Sequence, residues 1–215
     1  SVAGNWQVFD GCTWITASVP PSASDSTITI NQNIAISTNE TADELTVTPL
    51  ASLSIINGRL DLNDGAGTDF SCQGSFIITG TSFITSGTLR LNSASVVIEN
   101  TASFTWNDFS VIRSDGTMDI QSGATFTING AGDHRLTNGT ILNNYSTCNW
   151  DTGAIQIFNS TFLNNYGTLN INSDDDFRAL DFDAFVNNMP GGIIVKNGNG
   201  ETSTGTGSFD DVVFN

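Results

Sequence analysis

The sequence predicts an all-β chain, a right-handed parallel β-helix (β-solenoid) closed at its N-terminal end by an aromatic cap. Three observations predict it. Short apolar runs alternate with polar residues at period two, which puts one face of a strand inside and the other outside. A Gly-x-Leu-x-Leu phrase returns at Gly58, Gly87, Gly116, Gly139 and Gly167, in steps of 29, 29, 23 and 28 residues. Periods of that size fit a coil of several short strands. Finally, the pairs Asn143-Asn144, Asn164-Asn165 and Asn187-Asn188 follow apolar runs at similar intervals. Asparagine tolerates left-handed corners, and stacked asparagines form hydrogen-bonded ladders.

Residues 1–26 differ from the rest. Trp6, Phe9, Trp14 and Ile15 precede the turn-rich run Val19-Pro20-Pro21-Ser22-Ala23-Ser24-Asp25. Pro-Pro is a poor element interior. The stretch is expected to be a cap, because an open solenoid end exposes apolar core and an unpaired edge.

The expected solenoid occupies residues 27–215. Its strands are expected at Thr27–Ile30, Leu45–Val47, Leu53–Ile56, Leu60–Leu62, Phe76–Ile78, Leu89–Leu91 and Val96–Ile98. The series continues with Met118–Ile120, Phe126–Ile128, Ile155–Ile157, Leu169–Ile171 and Ile193–Val195. Taken as one residue per coil, the phrase places Leu60, Leu89, Met118, Ile141 and Leu169 in a single interior column. It also places Asp61, Arg90 and Asp119 in an outward row of alternating charge. An antiparallel sandwich also gives short strands and turns, but does not require the recurring phrase. Asp174-Asp175-Asp176, before Phe177, Leu180, Phe182, Phe185 and Val186, suggests one or two helical turns or an irregular strand pair. Residues 197–208 look like a loop, and the apolar run Phe209–Phe214 makes the chain look like a fragment of a longer protein.

Composition bounds the function. Only 13% of residues are charged and 38% are hydrophobic, with Ser, Thr, Asn and Gly dominating the polar part. Fourteen Phe and four Trp argue against disorder. A net charge of −16, from 22 acidic and 6 basic residues, repels phosphate backbones, so nucleic acid and anionic lipid are poor partners. No run reaches the length of a transmembrane helix, which argues against direct membrane insertion. Cys12, Cys72 and Cys148 make no zinc framework; one disulfide or small buried thiols are the alternatives.

Ala3-Gly4-Asn5-Trp6, Thr13-Trp14, Val19-Pro20, Asp25 and Thr27-Ile28-Thr29-Ile30 resemble the opening motif of secreted right-handed β-helix proteins of the Bacteroidetes type. The resemblance implies a secreted or cell-surface, adhesin-like protein whose partners are surface glycans or another extracellular protein. The wider β-helix class includes polysaccharide lyases and glycoside hydrolases, which form the alternative. None of their catalytic motifs is present to carry over.

Candidate sites are few. His134, the sole histidine, is expected to be surface decoration and not a catalytic base, since Asp133 beside it points to the opposite face of the strand and cannot orient it. Paired-carboxylate chemistry has candidates only in the scattered Asp61, Asp64, Asp119 and Asp181. If a metal binds, calcium is expected at Asp174, Asp175, Asp176, Asp181 and Asp183, which supply several carboxylate oxygens. Sequons at Asn39, Asn138, Asn144 and Asn159 are expected by chance in so Asn-rich a chain. An ice-binding threonine array is disfavoured, because Arg59, Asp61, Thr88, Arg90, Thr117 and Asp119 make a mixed outward surface.

Overall fold

Alternation at period two forces the chain into strands with one apolar face, and repeated corners let each strand hydrogen-bond to the one a full turn earlier. The computed structural model describes residues 7–9, 14–16, 18, 27–63, 68–80, 87–179, 184–202 and 213–214. It is a parallel β-solenoid. Three strands make a turn, and the turns stack into sheets of nine, eight and seven strands. Every pairing among these sheets is parallel; only Gln7–Phe9 and Trp14–Thr16 pair antiparallel, with Phe9 opposite Trp14. All twelve expected strands are found, and no helix occurs among the described residues. Phe177–Ala179 and Phe185–Asn188 are strands, not helical turns.

The length of a turn varies from 17 residues, between Ile28 and Leu45, to 29, between Arg59 and Thr88. This overturns the expected single column. Leu60 and Leu89 stack on the seven-stranded face, Met118 lies on the nine-stranded face and Leu169 on the eight-stranded face. Ile141 is beside Thr117, on the outer side, and Leu142 is the inward partner of Met118. The reason is that every corner wants the same turn chemistry. From Gly58 to Gly87 and from Gly116 to Gly139 the phrase advances one turn; at the other two steps it advances a turn and one further side.

The true interior columns run through register partners. On the eight-stranded face Leu53, Phe76, Phe104, Phe126, Cys148 and Leu169 follow one another. The rings of Phe76 and Phe104 are 5.5 Å apart and those of Phe104 and Phe126 5.1 Å, close to the roughly 4.8 Å between strands. Beside them Ile55, Ile78, Trp106, Ile128 and Trp150 fill a second column, all fully buried.

One interior column changes character. Ile30, Val47, Cys72, Ile98 and Ile120 are succeeded by Asn144, Asn165 and Asn188. Asn144 Nδ2 donates to Asn165 Oδ1 at 2.9 Å, and Asn165 Nδ2 to Asn188 Oδ1 at 2.8 Å. The same amides satisfy corner carbonyls of Thr168, Gly167, Ile193 and Gly192. The first asparagine of each pair faces outward and builds a second ladder, Asn187 to Asn164 to Asn143 to Asp119.

The corner before the eight-stranded face is built from small residues: Ala51, Gly74, Ala102, Ala124, Ser146 and Gly167. A Cβ on Gly74 would collide with the carbonyl oxygens of Ala51 and Thr48. That close approach, not backbone freedom, dictates glycine there.

Candidate functional site

With the core filled, chemistry is left to the three outer faces, and these differ sharply. The eight-stranded face is uncharged. Its outward columns are Ser52, Ser75, Ser103, Thr125, Thr147 and Thr168, beside Ser54, Ile77, Thr105, Thr127, Asn149 and Asn170. No outward position of its strands between Asn33 and Val195 carries a charge. In a chain of net charge −16 such a surface is set apart. Arg59, Asp61, Thr88, Arg90, Thr117 and Asp119, the mixed outward residues that the sequence sets against a threonine array, belong to the other two faces.

At the corner leading onto this face lies an open hollow of about 230 Å³, lined by Ser122, Gly123, Ala124, Tyr145, Ser146, Thr147, Gly167 and Thr168. Tyr145 is 40% exposed and stacks on Tyr166, with ring centres 4.6 Å apart and planes 16° from parallel. The phenol of Tyr145 is held above its ordinary pKa by desolvation first and then by the charge of Asp119. At about neutral pH it is therefore a neutral, donating hydroxyl.

The seven-stranded face carries all five arginines of the chain. Asp61, Arg90 and Arg113 are successive register partners, and Arg59, Thr88, Val111, Arg135, Gln156 and Arg178 form the neighbouring column. The expected Asp61–Arg90–Asp119 row is corrected here: Arg90 is followed by Arg113, while Asp119 lies on the nine-stranded face between Val97 and Asn143. Asp61 receives Arg59 at 2.8 Å and Arg90 at 3.5 Å.

His134 is interior, not on the surface. Leu136 is buried and shares its side of the strand, a phase relation already present in the sequence. The ring is fully buried, edge-on to Trp106 at 5.5 Å, with Nε2 2.8 Å from the Asn129 carbonyl. A nitrogen facing a carbonyl must donate, which places the proton on Nε2. Burial lowers the pKa of this imidazole, and the hydrogen bonds of Asn129 and Ala154 and the charges of Asp108 and Asp133 offset only part of that.

The acidic segment spreads its carboxylates over separate partners. Asp174 Oδ1 takes Lys196 Nζ at 2.6 Å and the Gly200 amide at 2.9 Å, and Lys196 lowers its pKa. Asp175 accepts from the Gly153 amide and Ser173 Oγ, and Asp176 faces Arg178 at 3.5 Å. Asp181 and Asp183 lie outside the described residues, as do Asp64, Trp6 and Cys12. Among the described residues no three His, Cys, Asp or Glu side chains converge as a metal site.

Cys72 and Cys148 are free and buried, and burial pushes the Cys72 thiol up to about 11. Of the sequons, Asn144 is buried within the interior ladder. No helix among the described residues is long and apolar enough to cross a membrane. Set against family models, characterised proteins and solved structures, the chain matches none of them. The resemblance to Bacteroidetes-type proteins is therefore supported only as far as the parallel β-solenoid fold.

Proposed function

We propose that this chain is a structural and ligand-binding, adhesin-like β-solenoid module of a secreted or cell-surface protein, and that its eight-stranded face takes a neutral glycan. The observation that carries the reading is the uncharged array of hydroxyls and amides on successive rungs, bordered by the exposed Tyr145. Sugars are recognised by such a combination. Hydroxyls and amides exchange hydrogen bonds with the sugar's own, and an aromatic ring stacks on its apolar C–H face. The rungs are held by the parallel ladder beneath, so little ordering is required on binding.

The finer architecture belongs to the same reading. The coil is right-handed, in keeping with the strong rule for parallel crossovers, and an experimental density map reads the hand directly. Residues 1–26 cap it with Trp6, Phe9 and Trp14. Calcium, if bound, takes oxygens from Asp174, Asp175, Asp176, Asp181 and Asp183, and must displace Lys196 from Asp174.

Co-sedimentation and calorimetry with cellulose, chitin, xylan and mixed-linkage glucan test the binding reading. The native protein binds at least one of them, Tyr145→Ala weakens that binding about tenfold, and Thr127→Lys weakens it similarly by placing an ammonium in the array. Equal binding by both variants, or no binding to any of the four, refutes it. Release of unsaturated or reducing ends in the same tubes favours the lyase or hydrolase alternative. Titrating calcium into chelator-treated protein, with no heat at millimolar calcium, removes the metal.

A further inference from the structure

Five of the six basic side chains, Arg59, Arg90, Arg113, Arg135 and Arg178, are gathered on one sheet face of an acidic chain. Nothing about the solenoid demands this. Strands about 4.8 Å apart make like charges on register partners repel, so an arginine above an arginine is unfavourable unless something negative lies between.

Most of the face is internally balanced. Asp61 engages Arg59 and Arg90; Asp133 and Asp176 face Arg178; Gln156 Oε1 accepts from Arg135 Nε at 3.3 Å. Arg113 is the exception. It stands directly above Arg90, and among the described residues its guanidinium has no hydrogen bond or ion pair. Its Nε is buried without a partner. Desolvation first, then the charges of Arg90 and Arg59, hold its pKa below the usual value. A half-buried guanidinium with an unsatisfied Nε and two like charges beside it is well placed to accept an anion.

We propose that Arg113, with Arg90 on the rung before and Arg135 on the rung after, forms a seat for a carboxylate carried on a glycan. The planar fork of a guanidinium matches a carboxylate with two parallel hydrogen bonds. The ligand carries isolated carboxylates, not a dense run of them. With a net charge of −16, a polyphosphate or highly sulfated chain is repelled beyond the first contacts, whereas a single carboxylate feels mainly the nearby arginines. The seat is on a different face from the neutral array and does not depend on it.

The test is calorimetric titration with sialyllactose and with a glucuronate-terminated trisaccharide, each against its uncharged counterpart. Both carboxylated sugars bind, and their neutral counterparts bind at least about tenfold more weakly at this face, the discrimination expected for a charged hydrogen-bonded pair. Arg113→Ala and Arg113→Gln each abolish the difference. Arg113→Lys, which keeps the charge and loses the fork, retains part of it. Tyr145→Ala leaves it unchanged, which separates this seat from the neutral-glycan site. Unfolding midpoints of the Arg113 variants stay at or above that of the native protein, because an unbalanced charge has been removed or left in place. Failure of both carboxylated sugars to bind, equal binding of charged and neutral forms, or insensitivity to Arg113 overturns the proposal. Tighter binding of duplex DNA than of either sugar does so too, by showing a general polyanion surface.

Discussion

His134 shows how one residue's surroundings set its chemistry. Its ring has no exposed surface, and burial lowers its pKa from the ordinary value of about 6.5. The unfolded chain therefore binds a proton that the folded chain resists. Stability contributed by the neutral ring is fully present above about pH 6.5 and is lost as pH falls through the lower folded value. Urea unfolding followed between about pH 8 and pH 5 is expected to show the midpoint falling on acidification, and falling less in His134→Gln. Identical pH profiles for the two proteins would show that His134 does not report its burial. Cys72 and Cys148 follow the same physics: desolvation keeps both thiols protonated, so neither is poised for redox chemistry.

At the scale of the element, the two asparagine ladders separate exposure from burial with chemistry held constant. Asn164, on the outer ladder, donates to Asn143 and accepts from Asn187 where water can substitute for either. Asn165, on the inner ladder, is fully buried and serves Asn144, Asn188 and two corner carbonyls. Asn165→Ala strands those partners without water and is expected to cost about 2–4 kcal/mol, against about 1 kcal/mol or less for Asn164→Ala. Chemical denaturation measures both; equal losses would mean that the inner ladder is hydrated. The stacked asparagines were foreseeable from their spacing. That one column would face inward was legible only in the parity of adjacent residues, Asn144 being two beyond the buried Leu142.

The stack is one-dimensional, each turn being stabilised by the turns on either side, and among the described residues the turn of Ile28–Ile30, Asn33–Ile36 and Asn39–Ala42 has a stacked neighbour on one side only. Ile28 and Ile30, the first inward residues of the nine-stranded face, are already buried, at 8% and 3% exposure. Gln7–Phe9 and Trp14–Thr16 form their own antiparallel pair ahead of that turn. If the N-terminal aromatics close the stack, Trp14→Ala costs several kcal/mol, the range for a large buried aromatic, and lowers the denaturation midpoint accordingly. An unchanged midpoint would make Trp14 a surface residue free to meet ligand.

Sequence alone determined the all-β parallel solenoid, the twelve apolar strands and the asparagine stacking, because alternation, corner chemistry and amide pairing act over a few neighbouring residues. Strands richer in polar residues, such as Asn39–Ala42, His134–Thr137 and Thr147–Trp150, carry no aliphatic alternation in the sequence, and burial there follows the stack more than composition. Tertiary structure decided which residues are vertical neighbours. The Gly-x-Leu phrase marks a corner without saying which of three corners it is, and turns of 17 to 29 residues shift it from side to side. Only the hydrogen-bonded register brings Arg113 over Arg90, aligns the hydroxyls from Ser52 to Thr168 on one face and removes Asp119 from the company of Asp61. Interstrand pairing spans a whole turn of variable length, so the contents of each outer face could not be read from spacing along the chain.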